Sequence, residues 1–265
     1  MTIPIKPLDL SDSANDTVKN LTHELSSNIG TTLADCWFLV FGGLSQKAER
    51  KRLQYAHDLE RFEYELAQNI CDIPKSNIIE PDFQIVTQSL DASKYCISVP
   101  ELRHMFSSLI ANAMNKDFSD YVSPIFPNIL RQMSSYDATL FNLIRNFSCR
   151  PLVTYLKYRE NRYSTVLEHV TFVQEPFMDF ELQSLSMSSL NLLGLIDFTY
   201  DKTATGLTDS YYDLENSPYF QNLKKELANT SYHADVQKGV CSLTPLGKAF
   251  AKVCLDEKNF PPLFS

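Results

Sequence analysis

Glycine is scarce in this chain, with seven in 265 residues. Phosphate-cradling loops and two-residue hairpins draw on glycine because it alone reaches positive φ without strain. The pair Gly42-Gly43 has neither the Lys-Ser/Thr step of a P-loop nor the G-x-G-x-x-G spacing of a dinucleotide fold. A G-x-S-x-G elbow for a serine hydrolase is also missing. Long apolar runs are absent as well. The longest, Leu33 to Leu44, covers about a dozen residues and contains Asp35, whereas a membrane span needs about 20. No apolar core of a secretory signal occupies the first residues, so the expected location is the cytoplasm.

Cysteine and histidine are present but never grouped. Cys36, Cys71, Cys96, Cys149, Cys241 and Cys254 stand singly, with no C-x-x-C pair, and read as free, mostly buried thiols. His23, His57, His104, His169 and His233 lie far apart with no partner at ligand spacing, so no metal, cofactor or catalytic residue is expected. Arginine stops at Arg162, and from Glu175 onward seven lysines face twelve acids. The chain as a whole carries a formal charge of −8 with a pI near 5.2. Such a field repels phosphate backbones, so a protein is the expected partner and nucleic acid is not.

What is there is mostly helical periodicity. Residues 1–16 read as a flexible arm. A helix is expected from Val18 to Ile29, interrupted by Gly30, and an apolar segment with the single tryptophan, Trp37, follows. Leu53, Ala56, Leu59, Phe62, Leu66 and Ile70 give a long amphipathic helix that Pro74 stops. Its bases precede its acids, against the helix dipole, which reads as a solvated face. Pro81 opens the next helix. Ser98, Pro100 and Glu101 have the spacing of a capping box, and Ser123-Pro124 repeats the opening. A further helix begins at Ser134 or Ser135.

Beyond Cys149 the texture changes. Residues 155–163 are basic and tyrosine-rich, and 165–173 are β-branched, so an irregular stretch or short strand is expected. The segment from Arg145 to Arg162 interleaves bases with aromatics. That pattern suits single-stranded nucleic acid, but a domain hinge is the favoured reading. A helix over 177–193 with Gly194 at its C′ position, a strand over 195–200 and an acidic loop over 201–216 follow. A helix from Ser217-Pro218, a strand over 237–243 and a final helix from Thr244-Pro245 complete the pattern.

The fold class expected is mainly α: a helical bundle over 17–133, then a smaller winged-helix-like α+β unit over 134–265. The helix in the recognition position has no basic residue, and only Gln183 and Asn191 could read base edges. Asp209, Asp213 and Glu215 lie in a hydrophilic loop, where nothing raises a carboxyl pKa for acid–base work.

Glu101-Leu102-Arg103, Leu109-Ile110-Ala111-Asn112-Ala113, Val122 to Phe126, Ile129 to Ser134 and Asp137-Ala138 together resemble the signature of the bacterial abortive-infection alpha (Abi-alpha) family, also classed as a domain of unknown function. Leu190 to Ile196 and Leu243 to Phe250, with Cys254, resemble its later motifs. Ser123 stands where that family commonly has histidine, a position suited to a helix cap. The resemblance implies a role in phage defence and no particular reaction.

The reading is therefore a non-enzymatic protein-interaction module, with dimerisation through the long N-terminal helices as a further expectation. The alternatives are an effector enzyme, such as a nuclease with a cryptic acidic site, and a winged-helix DNA-binding regulator. Candidate binding residues are Arg103 and Asn112 from the resemblance, and Arg150, Tyr155 and Arg159 from the basic-aromatic segment.

Overall fold

The computed structural model describes residues 27–41, 49–160, 162–174, 176–201 and 208–255. The expected arm, most of the helix from Val18 and the Gly42-Gly43 pair lie outside them. The chain divides into two compact units, residues 1–135 with 252–261, and residues 136–251 with 262–265. It is mostly helical, with one four-stranded antiparallel sheet in the C-terminal part.

The first unit is built from α1 (Ser27–Phe41), α2 (Glu49–Cys71), α3 (Phe83–Ser93), α4 (Pro100–Ala113) and α5 (Phe126–Gln132). Gly30 does not interrupt; α1 runs through it. Trp37 is fully enclosed, 4.7 Å from the Phe41 ring and 5.9 Å from Phe62 of α2. Asp82 caps α3 by accepting from the amides of Gln84 and Ile85. Two other openings differ from expectation. Val99, not Ser98, is the N-cap of α4, and no side chain bonds there, so the capping box is not made. Pro100 sets the first turn by its fixed φ alone. Likewise α5 opens at Phe126, with Pro127 rather than Pro124 in its first turn.

The second unit holds α6 (Ser135–Ile144), β1 (Arg150–Arg159), β2 (Arg162–Val170), α7 (Phe180–Leu192), β3 (Ile196–Thr199), α8 (Thr208–Glu215), α9 (Pro218–Leu227) and β4 (His233–Leu243). Helix α10 (Pro245–Cys254) follows. The strand order is β2-β1-β4-β3. The hinge expected at 145–162 is thus replaced by a long hairpin whose first strand lies inside the sheet. Alternating Val and Tyr positions explain it: Val153 and Tyr155 point into a core completed by Leu167, Val170, Phe180, Tyr211, Leu214, Phe220 and Leu223. The loop expected over 201–216 is also corrected, since 208–215 form α8, whose Tyr211 and Leu214 supply part of that core.

Both later motif segments meet at one corner. Leu195 donates to Leu190 O and Gly194 to Asn191 O, closing α7 in a Schellman arrangement with Gly194 at φ 74°. Thr244 Oγ1 donates back to Gly194 O, and the Thr244 amide to Leu195 O at 3.1 Å. A Cβ at Gly247 would overlap the Leu195 carbonyl, so only glycine lets α10 approach this turn.

Candidate interaction surface

Helix α7 buries a glutamine on its apolar face and exposes leucines on the other. Phe180, Gln183, Met187 and Leu190 recur at helical spacing and are buried, with Gln183 at 0% exposure. Leu182, Leu185 and Leu192, at 39%, 67% and 88% exposure, face outward. Asp179 starts the helix by accepting from the Leu182 amide.

The buried polar groups of α7 are spent inside the unit. Gln183 Oε1 accepts from the amides of Thr171 (2.7 Å) and Phe172 (2.9 Å). Its Nε2 donates to the carbonyls of Phe172 (3.0 Å) and Phe177 (2.9 Å). All four capacities of the amide are used, which holds the segment after β2 against the helix. Ser186 Oγ donates to the buried Asp137 carboxylate, and Asn191 Nδ2 donates to Ile196 O at 2.9 Å. Gln183 and Asn191, the two side chains expected to be able to read base edges, are therefore both engaged within the fold. Sequence reasoning missed the clamp, although a glutamine standing on the apolar stripe between Phe180 and Met187 is its signal.

The other candidate residues fall in several different places. Arg103 is 4% exposed, donates through Nε to Glu65 Oε1 at 2.9 Å and through Nη1 to Ile97 O at 3.0 Å. The second Glu65 oxygen lies 3.0 Å from His104 Nδ1. Asn112 Nδ2 donates to Val253 O at 2.7 Å, within the first unit. Tyr155 is enclosed, its hydroxyl donating to Leu214 O at 2.8 Å and bonded to Ser217 Oγ, and burial lifts its pKa to about 12. Arg150 lies with its guanidinium over Phe147 and Phe172, 4.6 and 4.3 Å from the ring centres, and burial pushes its pKa down against the pull of Asp213. Arg159 alone of the five stands largely in solvent, near the hairpin tip.

A polar chain on the opposite face of the sheet was not foreseen. β2 carries two residues, Glu168 and His169, opposite Thr154 of β1, a bulge in which His169 takes φ 60°. Its Nδ1 lies 2.9 Å from the Tyr200 hydroxyl, which bonds Thr154 Oγ1 at 2.8 Å, and its ring stacks on Phe198 at 4.3 Å. Burial lowers the His169 pKa, with Glu168 opposing. The sign follows from the order of proton uptake: below about pH 6.5 the unfolded chain binds a proton at this imidazole before the folded chain does. Stability contributed here is full above that pH and falls on acidification until the folded pKa is passed. His169→Asn keeps a residue that tolerates positive φ, and its melting temperature is expected to drop less than the wild type's between pH 7.5 and 5.5.

Among the described residues no three His, Cys, Asp or Glu side chains gather as a metal site would require. All six cysteines are free thiols, four of them buried, and burial with Asp197 nearby pushes Cys241 up to about 12. Among the described residues no helix is long and apolar enough to cross a membrane.

These features define a mostly helical protein with a sheet-bearing C-terminal unit, in which Gln183, Ser186 and Asn191 of α7 bond within the fold while Leu182, Leu185 and Leu192 of the same helix face out. The abortive infection alpha family model matches residues 54–254, and the chain belongs to that family. No curated protein and no solved structure matches it.

Proposed function

We propose that the chain is a cytoplasmic, non-catalytic contact module in abortive infection, and that it engages a protein partner through the leucine face of α7. The supporting observation is the outer face of that helix: Leu182, Leu185 and Leu192 face solvent while Gln183, Ser186 and Asn191 bond inward. A monomer gains nothing by exposing three leucines along one face, and such stripes mark protein contacts. Asp179 and Glu181 lie at one end of the stripe with no base on the helix, so the occupant that fits is an amphipathic segment, apolar along one side with Lys or Arg at the end meeting those acids. On this reading the winged-helix-like outline serves protein contact in place of DNA reading.

The test is capture from phage-infected cells, repeated with Leu185→Asp. Leu185 contacts solvent, so the variant is expected to melt with the wild type while losing the partner by about thirtyfold or more, as at an interface hot spot. Capture that survives the substitution, or a phage-exclusion phenotype that does, would overturn the proposal. So would hydrolysis of nucleic acid with added magnesium that a single Asp or Glu change abolishes.

A further inference from the structure

The β1–β2 hairpin ends with rings on one face of the sheet and cations on the other, because successive residues of a strand point to opposite faces. Tyr163, Tyr158 and His233 are partners across β2, β1 and β4, and Asp235 follows on the same face, opposite Leu156. Lys157, Arg159 and Arg162 belong to the other face, where Ser164 and Ala234 stand on either side of Lys157. Ala234 packs against the core that Phe220 and Leu223 of α9 help to close, so α9 lies on that second face. Its Lys224 stands 4.4 Å from the centre of the Phe220 ring and lines a small cleft with Leu227, Thr230, Tyr232 and Ala234.

Four cations from β1, β2 and α9 therefore share one face. Lys157 Nζ and Arg159 Cζ each lie 5.7 Å from the centre of the Tyr232 ring, so the two charges are at most twice that distance apart. Arg159 and Arg162 stand directly opposite each other, and like charges in that position destabilise a sheet. Among the described residues these cations meet one carboxylate, Glu160, 3.9 Å from Arg159 and 86% exposed, a pair that water screens. The acid of α9, Glu226, acts with Glu181 on the Tyr219 hydroxyl, whose pKa burial raises first. In a chain of formal charge −8, the counter-charge for this face is left to come from solution. Strand geometry sets the backbones of the three strand cations within about 5 to 7 Å of one another. An extended acidic peptide turns one side chain to a given side only about every 7 Å, so it covers such a patch poorly. Charges carried close together on one small molecule fit it.

We infer that this face of the hairpin tip binds a small polyphosphate, with Arg159 and Arg162 holding adjacent phosphoryl groups and Lys157 and Lys224 meeting them from either side. Guanidiniums take phosphate oxygens two at a time, and ammoniums add point charge. The chemistry recognised is a run of two or three phosphoryl groups. That run arrives either as inorganic polyphosphate or on an organic ester whose remainder enters the cleft beside Tyr232. The tyrosine row on the opposite face takes no part.

Titration calorimetry of the full chain at about 50 mM salt, with phosphate, pyrophosphate, tripolyphosphate and adenosine triphosphate, tests this. Affinity is expected to rise about tenfold or more from phosphate to tripolyphosphate, as more charge-assisted bonds form. Adenosine triphosphate bound more tightly than tripolyphosphate assigns the organic source and the reverse order the inorganic one; both support the site. Arg159→Gln with Arg162→Gln is expected to weaken tripolyphosphate binding about a hundredfold, roughly tenfold for each charged donor lost. The same variant without ligand is expected to melt higher than the wild type, because the opposed charges are gone, whereas arginines serving only the fold would leave it lower. Should that variant fail to fold, Lys157→Gln carries the test with a loss of about tenfold. Tyr163→Ala, on the ring face, is expected to bind as the wild type. No binding of tripolyphosphate, arginine or lysine variants that bind as tightly as the wild type, or an equal loss in Tyr163→Ala would each overturn the inference. So would tighter binding to oligoglutamate, a single-stranded oligonucleotide or phosphatidylserine vesicles than to tripolyphosphate.

Discussion

Replacing Gln183 with leucine is expected to unfold much of the C-terminal unit. The side chain is completely enclosed and accepts two amides while donating to two carbonyls. Leucine has nearly the same volume, so packing alone predicts a mild effect. Four backbone groups would nonetheless lose their partners in a dry interior, at about 1–3 kcal/mol each, less whatever the segment recovers by moving toward water. A net loss of about 4 kcal/mol or more follows, a large fraction of the stability of any single domain. Urea unfolding read by tyrosine fluorescence measures it. A change below about 1 kcal/mol would mean that the 171–177 segment finds other partners and that the clamp is dispensable.

Arg103→Ala should be nearly as damaging, and for a different reason. The guanidinium is buried, and its removal leaves the Glu65 carboxylate, only 15% exposed, without its principal counter-charge and Ile97 O without a donor. Breaking a buried pair by deleting one partner costs about 3–5 kcal/mol, because the remaining charge stays desolvated. Arg103→Lys is expected to recover part of this, since an ammonium restores charge without the planar fork that serves Glu65 and Ile97 together. The outcome also separates two roles for this residue. A large shift in melting temperature with partner capture intact at low temperature assigns it to the fold, whereas an unchanged melt with capture lost assigns it to the interface.

Arg103 shows why the family motifs could be found in the sequence while their purpose could not. Glu101 to Ala113, Leu190 to Ile196 and Leu243 to Phe250 are recognisable as strings. Yet Asn112 is explained by a carbonyl at Val253, and Gly247 by the carbonyl of Leu195. Those partners lie 141 and 52 positions away in the chain, and no local spacing points to them. Tyr155 and Arg159 make the same point within one strand. Both are candidate binding residues of one basic-aromatic segment, but the first lies in the core and the second stands at the hairpin tip. Strand position decided between them, and the hairpin itself was hidden because no glycine stands between Arg159 and Arg162.

The sequence alone determined whatever depends on near neighbours. It set the helical stripes of α2 and α4, the glycine stop after α7 and the serine cap of α9, because each rests on residues a turn or less apart. Only the tertiary structure decided which face of α7 looks outward, which polar side chains are spent inside, and which rings of β1, β2 and β4 line up. Those outcomes depend on burial and cross-strand register. Both are properties of segments far apart in the chain, fixed only when a common core forms.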